Sequence, residues 1–95
     1  MRYHYVVTYD ISDDRRRSRV FKLMHGFGDH AQYSVFFCEL SDEELVRMRS
    51  RLHAEIHHGE DQVLIVELGR AARPLITALS VVGRKYEPPV RTLVV

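Results

Sequence analysis

The stretch Tyr3-His4-Tyr5-Val6-Val7-Thr8-Tyr9-Asp10-Ile11-Ser12-Asp13-Asp14-Arg15-Arg16-Arg17 decides the fold. Residues 3–9 are aromatic and β-branched, side chains that fit the pleated surface of a strand, and Asp10 ends the run. Ser12 is placed to cap a helix whose first turn carries Asp13 and Asp14, where carboxylates complement the positive end of the helix dipole. The spacing predicts a helix to about His25, with Val20, Leu23, Met24 and Phe27 on its apolar face and Gly26 and Gly28 as the stop.

Outward from this β-α unit, residues 30–40 form a second extended segment, either one kinked strand or two short ones. Ser41 and Glu44 make a capping box. Leu45, Met48, Leu52 and Ile56 then mark the apolar stripe of a long helix ending near His58-Gly59. The run Val63-Leu64-Ile65-Val66 is expected as a central strand covered on both faces. Pro74 is placed to open a short helix through Leu79, and Ser80-Val81-Val82-Gly83 is a candidate strand. Residues 84–95 form a linker with a Pro-Pro break and an apolar C-terminal strand, Thr92–Val95, suited to pairing with another chain. The order β-α-β-α-β, with the middle segment one strand or two, fits an α+β ferredoxin-like sandwich: an antiparallel sheet with two helices on one face.

At 95 residues, 45% hydrophobic and 28% charged, the chain is expected to be a single domain over residues 1–95. So short a domain buries only about 60% of the surface its unfolded chain exposes, which favours a homodimer. The lone Cys38 excludes an internal disulfide, and no apolar run approaches the ~18 residues of a membrane span. A cytoplasmic protein with no membrane partner is expected. The net charge of +1 excludes binding to nucleic acid by overall basicity. The charge is segregated instead, because Arg15, Arg16, Arg17, Arg19 and Lys22 fall within one short stretch.

On the first helix Arg15, Arg19 and Lys22 lie at i, i+4 and i+7 and form a ridge for RNA or duplex DNA phosphates, with Arg16 bending toward the strand end. The bland alternative is a solvated helix face. Asp10 is either a turn residue bonded to its own backbone or a functional carboxylate at a strand end. If a dimer axis passes nearby, two Asp10 carboxylates meet and need a proton or a divalent cation between them; Mg²⁺ suits that position. His53 and His57 have a metal-compatible spacing without a third ligand, and His57 and His58 more simply complement a helix C-terminus. Tyr33 and Phe36 offer stacking surfaces, although strand aromatics more often belong to the core.

The run YDISDDRRRSRVFKLMHGFGDHAQYSVFFCEL, residues 9–40, resembles the signature region of the Cas-two family of CRISPR-associated proteins. The likeness lies in the strand ending Tyr-Asp, the Ser-Asp-Asp helix start with its Arg-Arg pair, the Gly-x-x-x-Gln turn and the Gln-x-Ser-Val-Phe that follows. His30 stands where that family often has Arg, and Phe37 where Glu commonly follows. The resemblance implies a ferredoxin-like homodimer in which the two Asp10 residues share a divalent metal, Mg²⁺ or Mn²⁺. It implies an endonuclease on RNA or DNA and a role beside the Cas-one integrase in spacer acquisition. Tyr9, Asp10, Arg17, Arg19 and Phe36 fall on its site positions, with Asp10 as metal ligand and Arg17 and Arg19 stabilising phosphoryl charge. Ser12, with Tyr9 and Phe36, is expected as a supporting residue of that site. Three alternatives stand beside this: a non-catalytic scaffold that holds duplex DNA and bridges integrase subunits, a toxin-like ribonuclease relative, and a ligand-sensing ferredoxin-like domain.

Overall fold

The computed structural model describes residues 1–89. Its elements run β1 (Arg2–Asp10), α1 (Asp14–His25), β2 (Gly28–Gln32), β3 (Val35–Ser41), α2 (Asp42–Glu55), β4 (Gln62–Arg70) and a 3-10 turn (Leu75–Ala78). The four strands form one antiparallel sheet in the order β2-β3-β1-β4. This is the ferredoxin-like α+β arrangement, and the extended segment after α1 is two strands joined at Tyr33-Ser34.

Alternation along β1 sorts its side chains. Tyr5, Val7 and Tyr9 point into the core with Phe36, Cys38 and Leu40 of β3, and Val20, Leu23, Met24, Met48 and Leu52 from the two helices complete it. Burial pushes the Cys38 thiol up to about 12, so it behaves as a small apolar side chain. Gly28 is required where β2 pairs with Cys38: a Cβ there would lie 2.5 Å from Cys38 Sγ and closer still to the Phe37 carbonyl.

Five expectations are corrected. Asp13, not Ser12, caps α1: its carboxylate accepts the Arg16 N–H at 2.8 Å, while Ser12 stays exposed in the loop that Ile11 anchors in the core. Helix α2 ends at Glu55, because Ile56 turns extended and packs against the core. His57 therefore lies beyond the helix, and His53 stacks on His58 instead. The Val63–Val66 run is an edge strand among the described residues: β4 pairs with β1 alone, so Val63 and Ile65 meet the core while Leu64 and Val66 are about half exposed. Residues 80–83 form no strand, and Val82 is fully exposed. Downstream, Tyr86 packs edge-on against Phe37, 5.6 Å between centroids, on the sheet face away from the helices. The anticipated strand at 92–95 lies outside the described residues.

The capping box is present as expected. Ser41 Oγ accepts the Glu44 N–H at 3.2 Å, and Glu44 Oε1 accepts the Ser41 N–H at 3.0 Å and pairs with Arg2. The Ser41 backbone and side chain, then Arg2, hold the Glu44 carboxyl at about 2 against its ordinary 4.5. A depressed folded value means that the unfolded chain takes up the proton first as pH falls. The stabilisation is thus complete above about pH 4.5 and is lost progressively toward pH 2. Melting temperature is expected to fall through that window, and to fall less steeply in Glu44→Gln. Parallel pH curves for the two proteins would show that the box does not contribute.

Candidate functional site

Strand β1 is the middle of the sheet, and its last residue outruns one neighbour. Pairing with β3 stops at Thr8 opposite Val35, while pairing with β4 continues to Asp10 opposite Gln62. Asp10 is exposed, and no hydrogen bond or ion pair engages its carboxylate among the described residues. The turn-residue alternative, with its own backbone bond toward Ser12, is thus not what the geometry shows.

The arginines that looked alike in sequence divide into different roles. Arg17 is half-buried, donates from Nη1 to the Ile11 carbonyl at 3.0 Å and pairs with Asp14, which fixes its guanidinium one residue along the chain from Asp10. Arg16 turns toward the strand end as expected but is held there. Its Nε and Nη2 donate to the two oxygens of Asp61 at 2.8 and 3.1 Å, and Nη2 also reaches Glu60 at 3.2 Å. The Asp61 carboxylate is fully buried under this fork and also accepts the His57 N–H; Arg16 and that N–H hold its carboxyl below the usual range. Arg16 is therefore engaged by carboxylates and ties α1 to the start of β4, next to Gln62, the strand partner of Asp10. Arg19 pairs with Glu55 of α2 at 3.0 Å, an exposed contact that solvent and ligands compete with easily. Arg15 and Lys22 are exposed, and their charged ends engage no side chain among the described residues.

Two supporting residues belong to the core. Phe36 is 0% exposed, so the stacking role expected of it has no accessible ring face. Tyr9 is also buried, stacked with Phe36 at 6.3 Å, and burial pushes its phenol up, so it remains protonated at neutral pH. Sequence reasoning gave no role to Asp61, and it missed Phe21 and Ser34, which line a cavity with Tyr33 and His30. The one available signal was Tyr33-Ser34 between two strand-like runs, which marks a turn tip.

A single chain offers a metal ion little: no group of three or more His, Cys, Asp or Glu side chains able to hold one occurs among the described residues. The unengaged Asp10 carboxylate still fits a hard cation that keeps several of its waters and takes one carboxylate from each of two chains. No described helix is long and apolar enough to cross a membrane.

Fold and strand end together define a ferredoxin-like α+β protein with a free carboxylate and a fixed guanidinium at the mouth of its central strand. The family model described as CRISPR associated protein Cas2 matches residues 1–73. The chain belongs to that family. A Geobacter sulfurreducens protein named CRISPR-associated endoribonuclease Cas2 is 39% identical across 100% of this chain and 99% of its own length. A Thermodesulfovibrio yellowstonii protein, CRISPR-associated endoribonuclease Cas2 2, is 48% identical over 72% of this chain and 75% of its own. Among solved structures, Streptococcus pyogenes Cas2 superposes with a TM-score of 0.73 at 27% identity, covering 84% of this chain and 99% of that one. A hypothetical protein from Thermus thermophilus reaches 0.78 at 30% identity, covering 94% and 100%.

Proposed function

We propose that the chain is a metal-dependent endonuclease of CRISPR adaptation, cytoplasmic, working as a homodimer on RNA or DNA phosphodiesters beside the Cas-one integrase. The observation that carries this reading is the Asp10 carboxylate, exposed and unengaged at the end of the central strand with Arg17 fixed beside it. Endoribonuclease is the activity in the names of the most similar relatives reported above, and it favours RNA as the first substrate to try.

The sheet face away from the helices supports the dimer. Leu64 and Val66 of β4 stand about half exposed in register with Thr8 and Val6, and Phe37 of β3 lies opposite Val6. A two-fold axis through this apolar strip brings the two β1 ends, and so the two Asp10 residues, toward each other. Mg²⁺ or Mn²⁺ held there supplies charge neutralisation and a more acidic water. Asp10 holds the cation. Arg17, oriented by the Ile11 carbonyl, donates to the phosphoryl oxygens as their charge grows, and Arg15 and Lys22 hold the flanking phosphates. Arg19 joins them when a phosphate displaces Glu55.

The scaffold reading is favoured by one specific observation: Arg15 and Lys22, exposed on α1 with no side-chain partner among the described residues, suit a backbone grip and require no metal. Incubation of the protein with single-stranded RNA and with duplex DNA, in Mg²⁺ and in EDTA, separates the two. Cleavage in Mg²⁺ that EDTA abolishes is the expected result. Salt-sensitive binding with no cleavage of either substrate would overturn the enzyme reading and leave the scaffold.

A further inference from the structure

The β2–β3 turn builds a cavity that the reading above does not use. It has a volume of about 320 Å³ and lies between α1, which contributes Arg17, Phe21 and Lys22, and the end of the β2–β3 hairpin, where β2 contributes His30 and the turn Tyr33 and Ser34; Tyr9 lines it as well. That is the small end of ligand cavities, roughly 300–1,000 Å³, and suits one nucleobase with its sugar.

The turn presents Tyr33 deliberately outward. Ser34 sits in the left-handed region at φ 59°, a conformation uncommon outside glycine, and its carbonyl accepts the Tyr9 N–H at 3.1 Å. The turn is thereby tied to the last buried residue of β1, and Tyr33 is left 78% exposed. Across the cavity Phe21 is 36% exposed, and its ring is held edge-on to His30 at 5.0 Å and to the buried Phe36 at 5.7 Å. One tip aromatic is thus free to close on a ligand, while the other is braced by the core. The exposed Tyr33 ring lines the same cavity as Arg17 and Lys22, a lining that fits a ligand with a flat face and a negative charge. Aromatic faces next to Arg and Lys are how proteins hold unpaired bases, the ring taking the base and the cation the adjoining phosphate.

We infer that the Tyr33–Phe21 cavity is a nucleobase pocket, which takes one unpaired base of a single strand while Arg17 and Lys22 hold the phosphates on either side. This rests on the nucleic-acid reading above and adds a selectivity to it. In a duplex both faces of each base are already stacked, so the pocket favours single strands, frayed ends and bulges. Tyr33 is then a positioning residue, setting which phosphodiester lies against Arg17 and the Asp10 strand end.

The test is binding of the full chain, by fluorescence anisotropy in EDTA, to three probes: a short single-stranded oligonucleotide, the same backbone with abasic sites throughout, and the corresponding duplex. The native protein is expected to prefer the base-bearing strand over the abasic one by roughly tenfold. Tyr33→Ala should bring the base-bearing strand down to the abasic level, and Tyr33→Phe should keep the preference because the ring face remains. A 2-aminopurine in the strand should be quenched on binding to native protein and to Tyr33→Phe, and not to Tyr33→Ala. Equal, salt-sensitive affinity for the base-bearing and abasic strands would overturn the pocket while leaving backbone binding intact. Failure to bind any of the three would overturn the nucleic-acid reading itself, and the pocket with it.

Discussion

Asp10→Asn is expected to lower Mg²⁺-dependent cleavage on the order of 10²-fold or more, while melting temperature and nucleic-acid affinity stay within a few degrees and a few fold of native. The substitution keeps the shape of the side chain and removes only its charge. Nothing in the fold depends on that charge, because no partner engages the carboxylate among the described residues. The phosphate contacts proposed for Arg15, Arg17 and Lys22 are left alone by the change. In the proposed dimer it would also remove repulsion between two like charges, so without metal the association should be unharmed or tighter. Cleavage assays, anisotropy and sedimentation on one preparation give all three quantities. Cleavage that persists in the purified variant would place the reaction at another site, and a variant that unfolds would show Asp10 to be structural after all.

Phe36→Ala is expected to be the most damaging single core substitution, costing about 3–5 kcal/mol of a total stability on the order of 5–15 kcal/mol. Phe36 is the largest fully buried side chain; it stacks on Tyr9 and meets the rings of Phe21, His25 and His30 at 5.7, 5.3 and 5.1 Å. Truncation therefore leaves a cavity lined by aromatic rings from α1, β1 and β2, with no neighbour free to fill it. Phe36 and His30 also brace Phe21 in the proposed base pocket, so the variant should lose base preference along with stability. Phe36→Leu, which retains most of the volume, should recover much of the stability. Urea denaturation measures the difference, and a loss below ~1 kcal/mol would mean that the core repacks around the gap.

Local chemistry made much of this molecule legible. The Ser41–Glu44 box, the apolar stripes of both helices and the aromatic first strand depend on residues within one or two turns of each other, so their outcome was readable before any contact between distant segments was known. The same holds for the motif from Tyr9 to Phe36 and for the segregation of arginines onto α1. Even the errors at element ends are local in kind: Asp13 and Ser12 are both good caps, and the choice fell to whichever carried the charge and the right backbone angles.

What could not be read along the chain is whatever depends on a neighbour far away in sequence. Val63-Leu64-Ile65-Val66 reads the same as an edge or a central strand. Only its register against β1, with the helices on one side, exposes Leu64 and Val66 and buries Val63 and Ile65 less than fully. Arg15 and Arg16 are adjacent and chemically identical, yet the turn after α2 sets Asp61 beneath Arg16, so one arginine is locked into a fork while the other faces solvent. Tyr33 and Phe36 invited one reading as stackers; the left-handed turn at Ser34 sends the first outward, and the alternation of β3 sends the second into the core. Sequence by itself thus determined the elements, the fold class and the residue types at the site. Tertiary structure decided which of those side chains are free to meet a ligand, because freedom is set by partners that the fold brings from 36 to 45 residues away, as Glu55 meets Arg19 and Asp61 meets Arg16.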